Sequence, residues 1–146
     1  MSDTSVRTSG PMFDGRAKEE LRDGIEAVRH DVAKRGRALA AAAFAGAIRD
    51  NHGKFIGSIQ VITESHNFTS HSGHHTYTMP IEVPTEADVV TTDIATYGPW
   101  LEGTGSRNDT TRFKGYFGFR KAADELDRVA GTVAEGTIRP YVDRMN

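Results

Sequence analysis

The sequence contains no cysteine. This absence excludes disulfide frameworks, thiolate nucleophiles and cysteine-based zinc sites. The longest apolar stretch, residues 38–48, is mostly alanine and is too short to span a bilayer. The first ten residues lack the apolar core of a signal peptide. We therefore expect a soluble protein that is made in the cytoplasm and has no contact with a membrane.

Neither sign of charge dominates the chain. Its 146 residues include 18 basic and 20 acidic side chains, which gives a formal net charge of −2. This balance produces no overall field that favours nucleic acid. Hydrophobic residues make up 37%, below the roughly 45–50% of ordinary globular domains, a figure that includes glycine. We expect one domain with a thin core, a composition typical of subunits that are completed by packing against neighbours.

The N-terminal third of the sequence predicts an arm followed by a long helix. Residues 1–15 are rich in Ser, Thr, Gly and Pro and predict a flexible arm, leaving residues 16–146 as the single domain. Asp14 is the candidate N-cap of a helix that ends near Gly53. Gly36 and Gly46 would allow another backbone to approach the helix closely. Close packing of the helix on the protein's own sheet is the favoured alternative. The predicted apolar face consists of Leu21, Ile25, Val28, Val32, Leu39 and Ala43.

The remaining pattern predicts a sheet and a second helix. Alternation around Phe55, Ile59 and Val61 starts the strands, and two more extended segments are expected at 76–83 and 89–97. Between the first two, polar residues 65–74 predict the long tip of a hairpin. Helical spacing returns over 119–133, with Gly136 and Pro140 as interruptions. The expected class is α+β, with a long N-terminal helix and a C-terminal helix packed on one face of a small antiparallel sheet.

Four histidines lie in the predicted hairpin tip, namely His66, His71, His74 and His75. Clustered imidazoles could bind a transition metal, with Glu64 as an oxygen ligand. Their spacing matches no established zinc motif, and a mobile loop holds ligands poorly. A solvated polar loop is therefore the favoured interpretation, ahead of a pH-sensitive contact or a metal-dependent hydrolase. No catalytic residue, metal or cofactor is expected.

The segment from Tyr97 to Arg120 combines several unusual features. Large apolar side chains alternate with charged ones and with glycines at 98, 103 and 105. Aromatic residues and arginines are enriched at protein interfaces. The segment is either a loop fixed to its own core by Trp100 and an internal Glu102–Arg pair, or a contact between subunits. The candidate interface residues are Tyr97, Trp100, Glu102, Arg107, Arg112 and Phe113.

This segment resembles a known family. The string YGPWLEGTGSR at 97–107, followed by Arg112, Phe113 and a helix start, is similar to the hallmark of the head–tail joining and tail-completion proteins of long-tailed bacteriophages. The preceding long helix and the strand entry GKFIGSI at 53–59 are also similar to that family. The histidine-rich tip matches none of its motifs.

The resemblance implies a structural virion protein without enzymatic activity. Such a subunit forms a ring, by resemblance a hexamer, at the head–tail junction. It caps the tail tube protein as a tail terminator or tail-completion protein and docks the tube to the head connector or stopper protein. Genomic DNA would pass through the channel without sequence-specific binding. The alternative within this class is a neck or minor capsid protein.

Overall fold

The computed structural model describes residues 10, 14–48, 53–72, 74–93 and 98–145. It confirms the predicted α+β class. Most of the predicted N-terminal arm and the end of the third extended segment lie outside the described residues. In chain order the elements are α1 (Arg16–Ala47), α2 (Gly53–Gly57), β1 (Ile59–Ile62), β2 (His66–Ser72), β3 (His75–Ile81), β4 (Val89–Thr92), α3 (Gly98–Glu102), α4 (Arg107–Thr110) and α5 (Gly118–Met145).

The start of α1 lies close to the predicted position. Gly15 is the N-cap, with a φ of 85°, and the preceding Asp14 accepts a hydrogen bond from the backbone N–H of Arg16 at 3.1 Å. That hydrogen bond, together with the Arg16 side chain, holds the pKa of Asp14 below its ordinary value. Gly53, the predicted helix stop, instead begins α2, and α1 ends at Ala47 with Ile48 as its C-cap.

The closest neighbour of α1 is α5. A Cβ at Gly24 would meet Ile138 and Tyr141, and a Cβ at Gly36 would meet Leu126. Residues nearer the C-terminus of α1 thus contact residues nearer the N-terminus of α5, so the two helices are antiparallel. Gly36 also faces Val90 of the sheet at ordinary contact distance. Gly36 therefore admits α5 in addition to the sheet that was favoured from the sequence. The prediction for Gly46 was wrong, because a Cβ there would have no neighbour within 4 Å.

The predicted apolar face of α1 was wrong in its N-terminal half. Leu21 is 47% exposed and Ile25 is 59% exposed. Small side chains occupy the contact with α5, since they let the two backbones approach closely, and the larger residues are displaced to its edge. The buried residues of α1 are Ala17, Gly24, Ala33, Gly36, Ala40 and Phe44.

The prediction that Gly136 and Pro140 interrupt the C-terminal helix was also wrong. α5 runs without a break from Gly118 to Met145 and contains Pro140. Contacts with α1 hold this half in place: the Thr137 hydroxyl donates to Asp31 at 3.0 Å, and Arg144 pairs with Glu20 at 2.8 Å. Tertiary packing thus outweighs the local cost of a proline in a helix.

Replacing Pro140 with alanine should raise the free energy of unfolding by about 1–2 kcal/mol, because alanine restores a backbone donor and removes the ring from the helix. Urea unfolding followed by circular dichroism measures the effect. Thr132→Ala, an exposed change in the same helix, is the matched control and should alter stability by only a few tenths of a kcal/mol. A Pro140→Ala protein no more stable than its parent would contradict a continuous α5.

The strands form one long hairpin, hereafter the β arm (residues 59–92). β1 pairs antiparallel with β4, from Ile59 opposite Thr92 to Ile62 opposite Val89. β2 pairs antiparallel with β3, from His66 opposite Ile81 to Ser72 opposite His75. The predicted hairpin tip at 65–74 is therefore mainly strand, and the described sheet consists of two separate ladders. The ladder of β1 and β4 is hereafter the inner ladder, and that of β2 and β3 is the outer ladder. Residues 63–65 join them on one side and residues 82–88 on the other.

The inner ladder of the β arm is fastened to α1. Arg37 donates through Nε to the Ile59 carbonyl at 2.7 Å. Asp88, whose side chain is 1% exposed, lies 2.9 Å from Nε of Arg29 and 3.2 Å from Nδ1 of His30. Between these points Val90 packs near Gly36. The arm therefore runs along α1 toward its N-terminus.

The core lies at the opposite end, where α1, α2, α3 and α5 meet. Phe44, Phe55 and Ile59 are the largest fully buried side chains of the described residues. Phe55 was predicted to lie in a strand, but α2 turns its ring to within 4.8 Å of the Phe44 ring centre. The hydrophobic content is low and the core is correspondingly small. None of the helices within the described ranges has the length and apolar character needed to cross a bilayer.

Candidate subunit interface

The α3–α4 region (residues 98–117) contains most of the candidate interface residues. After α4 the chain turns back, and Tyr116 donates its N–H to the Leu101 carbonyl at 2.7 Å. Gly103 and Gly115, with φ of 100° and 107°, lie where the two segments cross. A Cβ at either position would collide with the opposite backbone. Glycine is therefore required at this crossing for both conformation and space.

Asn108 holds the region together from its centre. Its side chain is buried, with the residue 4% exposed. Nδ2 donates to the carbonyls of Trp100 at 3.0 Å and Phe113 at 3.3 Å, and Oδ1 accepts from the Gly105 N–H at 3.0 Å. One amide thus connects α3, α4 and the returning segment.

The aromatic candidates pack on one another. The ring centres of Trp100 and Phe113 are 4.7 Å apart, and those of Phe113 and Tyr116 are 4.8 Å apart. Trp100 is half-buried against the edge of the core. Its Nε1 is buried and has no hydrogen-bond partner within the described ranges. Tyr97, the remaining aromatic candidate, lies outside the described residues.

Glu102 caps the N-terminus of α5. Its carboxylate accepts the N–H of Phe119 at 2.8 Å and that of Arg120 at 3.0 Å. The residue before α5 is Phe117, which has a φ of 56° and a side chain that cannot accept a hydrogen bond. A carboxylate near the positive end of the helix dipole satisfies two free donors. Glu102 therefore replaces the missing local cap from 16 residues upstream of Gly118.

The internal Glu102–Arg pair considered from the sequence does not form. Among the described residues, no ion pair joins Glu102 to Arg107 or Arg112. Both arginines are exposed. Trp100 and Phe113 thus stabilise the region from within, whereas Arg107 and Arg112 lie at the surface.

Replacing Glu102 with alanine should lower the free energy of unfolding by about 1–2 kcal/mol, because two helix donors lose a charged acceptor at a partly exposed site. Glu102→Gln keeps one acceptor oxygen and should lose less. Asp109→Ala, a nearby exposed carboxylate, serves as the control. Thermal unfolding of the three variants gives the comparison, and equal stability of Glu102→Ala and the parent would argue against the capping role.

Three of the four histidines, His66, His71 and His75, lie on the outer ladder, and the four do not converge. His75 pairs with Ser72, which lies six residues from His66 on the same strand, so His66 and His75 share one face of the ladder. His71, an odd number of residues from His66, lies on the other face. His71 lies 3.1 Å from the Thr76 hydroxyl through Nδ1, and His74 is in the turn. The described part of the chain brings no three metal-binding side chains together. A cleft of about 340 Å³ lies where β1 leads into β2, and it is lined by His66 but by none of the other three histidines.

Two features of this region were missed from the sequence. Asn108 was overlooked because a polar residue in a glycine-rich segment looks solvated. The sequence does indicate that α5 needs a cap from elsewhere in the chain, since no Ser, Thr, Asp or Asn stands at residues 115–118.

Comparison with known proteins adds no constraint: no family model, curated protein or solved structure matches this chain.

Proposed function

We propose that this chain is a ring-forming subunit at the head–tail junction of a long-tailed bacteriophage, acting as a tail terminator or tail-completion protein. The resemblance of residues 97–113 to that family motivates the proposal. The observation that carries it is the β arm, whose outer ladder lies away from the core. No other described helix or strand packs extensively on β2 or β3.

An isolated two-stranded ladder is only marginally stable in water. One face of this ladder holds apolar side chains, among them Phe68, Met79 and Ile81, which are half-buried, and Tyr77, which is 41% exposed. Further large apolar side chains are exposed at Leu21, Ile25 and Val142. Such uncovered apolar surface, next to a small core, is typical of a subunit that buries it against neighbours.

The proposed activity is geometric. Identical subunits that associate head-to-tail close into a ring through heterologous contacts. One face of the ring fits the end of the tail tube and stops its growth, and the other face accepts the head connector or stopper protein. DNA passes through the central channel.

Imaging of particles from a phage that lacks the gene tests the proposal. Overlong or headless tails are the expected result for a terminator. Filled heads without a neck layer would assign the chain to the neck or minor capsid class instead. Normal infectious particles would rule out both assignments. Light scattering on the purified protein supplies a second readout, for which a ring-sized mass is expected at high concentration.

A further inference from the structure

Charge is divided unevenly between the β arm and the α3–α4 region. The β arm contains four carboxylates and neither lysine nor arginine. Asp88 is buried against α1, but Glu64, Glu82 and Glu86 are exposed. None of these three has an ion-pair partner among the described residues. Ser65 accepts the Val83 N–H at 2.9 Å, so Glu64 and Glu82 flank the same bend.

Positive charge is concentrated in and directly after the α3–α4 region. Residues 103–123 contain five basic side chains and a single carboxylate, Asp109. Arg107 and Arg112 are exposed, and the described residues offer them no ion pair. Lys114 donates to the Asn108 carbonyl at 2.6 Å, and the Arg120 guanidinium stacks 4.9 Å from the Phe117 ring centre. The region is thus a fixed surface with exposed positive charge.

The two charged surfaces are too far apart to meet within one chain. The α3–α4 region packs at the Phe44 end of α1, where Leu101 joins the core. The bend of the β arm lies beyond Asp88, which is held by Arg29. Fifteen residues of helix separate Phe44 from Arg29, a span of about 22 Å at 1.5 Å per residue. Complementary charges held this far apart on one molecule suit contact between successive copies.

We propose that the β arm of one copy binds the α3–α4 region of the next copy, with Glu64, Glu82 and Glu86 facing Arg107 and Arg112. This contact rests on the proposed ring. It defines the order in which the two surfaces of each subunit meet around that ring. Each copy offers one acidic arm and one basic region, so the contact is heterologous and repeats around a closed ring. The half-buried apolar face of the outer ladder would lie at the same boundary, where complementary charges fix the register.

Charge reversal tests the contact. Glu82→Lys with Glu86→Lys reverses the arm, Arg107→Glu with Arg112→Glu reverses the α3–α4 region, and a fourfold variant carries both reversals. Arg139→Glu with Glu135→Lys reverses an exposed pair on α5, 3.6 Å apart, and is the control. Circular dichroism confirms folding of each variant, and light scattering measures the assembled fraction.

We expect each single-surface reversal to reduce the assembled fraction by roughly tenfold or more, and the fourfold variant to recover assembly. The control pair should assemble normally, and assembly should weaken between about 0.05 M and 0.5 M salt. Rings that persist in both reversed variants would overturn the arm contact and leave the ring proposal intact. A parent protein that stays monomeric at every concentration would overturn both.

The absence of cysteine permits a direct second test. Proteins carrying Glu86→Cys and Arg112→Cys are mixed and oxidised, and mass spectrometry of the disulfide-linked peptides separates the 86–112 heterodimer from homodimers. The heterodimer is expected to form rapidly, whereas Arg112→Cys with Glu135→Cys should not cross-link. Equal cross-linking of both mixtures would overturn the contact.

DNA binding of the parent and of the Arg107→Glu, Arg112→Glu variant is measured as well. Loss of DNA binding in this variant, with assembly unchanged, would assign the basic surface to DNA and overturn the proposed contact.

Discussion

Replacing Phe44 with alanine is expected to lower the free energy of unfolding by about 3–5 kcal/mol. The Phe44 side chain is fully buried. Its ring centre lies 4.8 Å from that of Phe55 and 5.3 Å from that of Phe119. The same ring occupies the space that a Cβ on Gly118 would need. One side chain therefore joins α1, α2 and the start of α5, and its removal leaves a cavity among all three.

Urea unfolding monitored by circular dichroism measures this loss. Total stabilities of small domains are about 5–15 kcal/mol, so the variant should unfold at much lower denaturant. Tyr77→Ala, which removes an exposed aromatic ring from the outer ladder, is the matched control. Its effect on the isolated chain should stay below about 1 kcal/mol. Similar losses for the two variants would contradict the position of the core.

Replacing Asn108 with aspartate is expected to lower the free energy of unfolding by about 3 kcal/mol or more, although the side chain hardly changes shape. The two Nδ2 hydrogen bonds to the carbonyls of Trp100 and Phe113 disappear. A carboxylate oxygen then faces two carbonyl oxygens in a buried site. Protonation of the new carboxylate would relieve part of the repulsion.

Trp100 is the sole tryptophan and provides a local probe for this variant. Its fluorescence reports the α3–α4 region, while circular dichroism reports mainly α1 and α5. We expect the fluorescence transition of Asn108→Asp to move to lower urea by more than the dichroism transition. Asn67→Asp, on the exposed face of the outer ladder, controls for the chemical change. Coincident, unshifted transitions would show that Asn108 does not hold the region together.

The sequence was sufficient for the class of fold and for the main helices. Helical spacing located the start of α1 closely because its signals are local, namely an acidic side chain before the first turn and an apolar period. It extended the helix toward Gly53, past the observed end at Ala47. The same spacing misjudged the buried face, since the contact with α5 depends on glycine and alanine, which contribute little to a hydrophobic pattern. Pro140 misled for a related reason, because contacts with Asp31 and Glu20 support that turn from a distant helix.

The candidate interface was predicted in part. Aromatic and arginine content drew attention to the segment now seen as the α3–α4 region. Sequence alone did not separate its internal residues from its surface residues. Glu102 and Asn108 bind backbone groups of other segments, and a sequence pattern does not predict such contacts. Arg107 and Arg112, in contrast, are exposed. The histidines were assigned to a loop because polar residues dominate residues 65–74, although Phe68 and Thr69 favour extended pairing there.

The β arm leaves and re-enters the core at adjacent points, since Ile59 and Thr92 are paired. Residues paired across antiparallel strands lie only about 4.5–5.5 Å apart, so the chain between them can be lengthened or shortened without separating its ends. Excision of residues 66–81 with a short glycine-containing turn in their place would leave the ladder of β1 and β4 intact. The arm is therefore a natural site for insertion and deletion, and its reach can change over evolution while α1, α5 and the core stay constant.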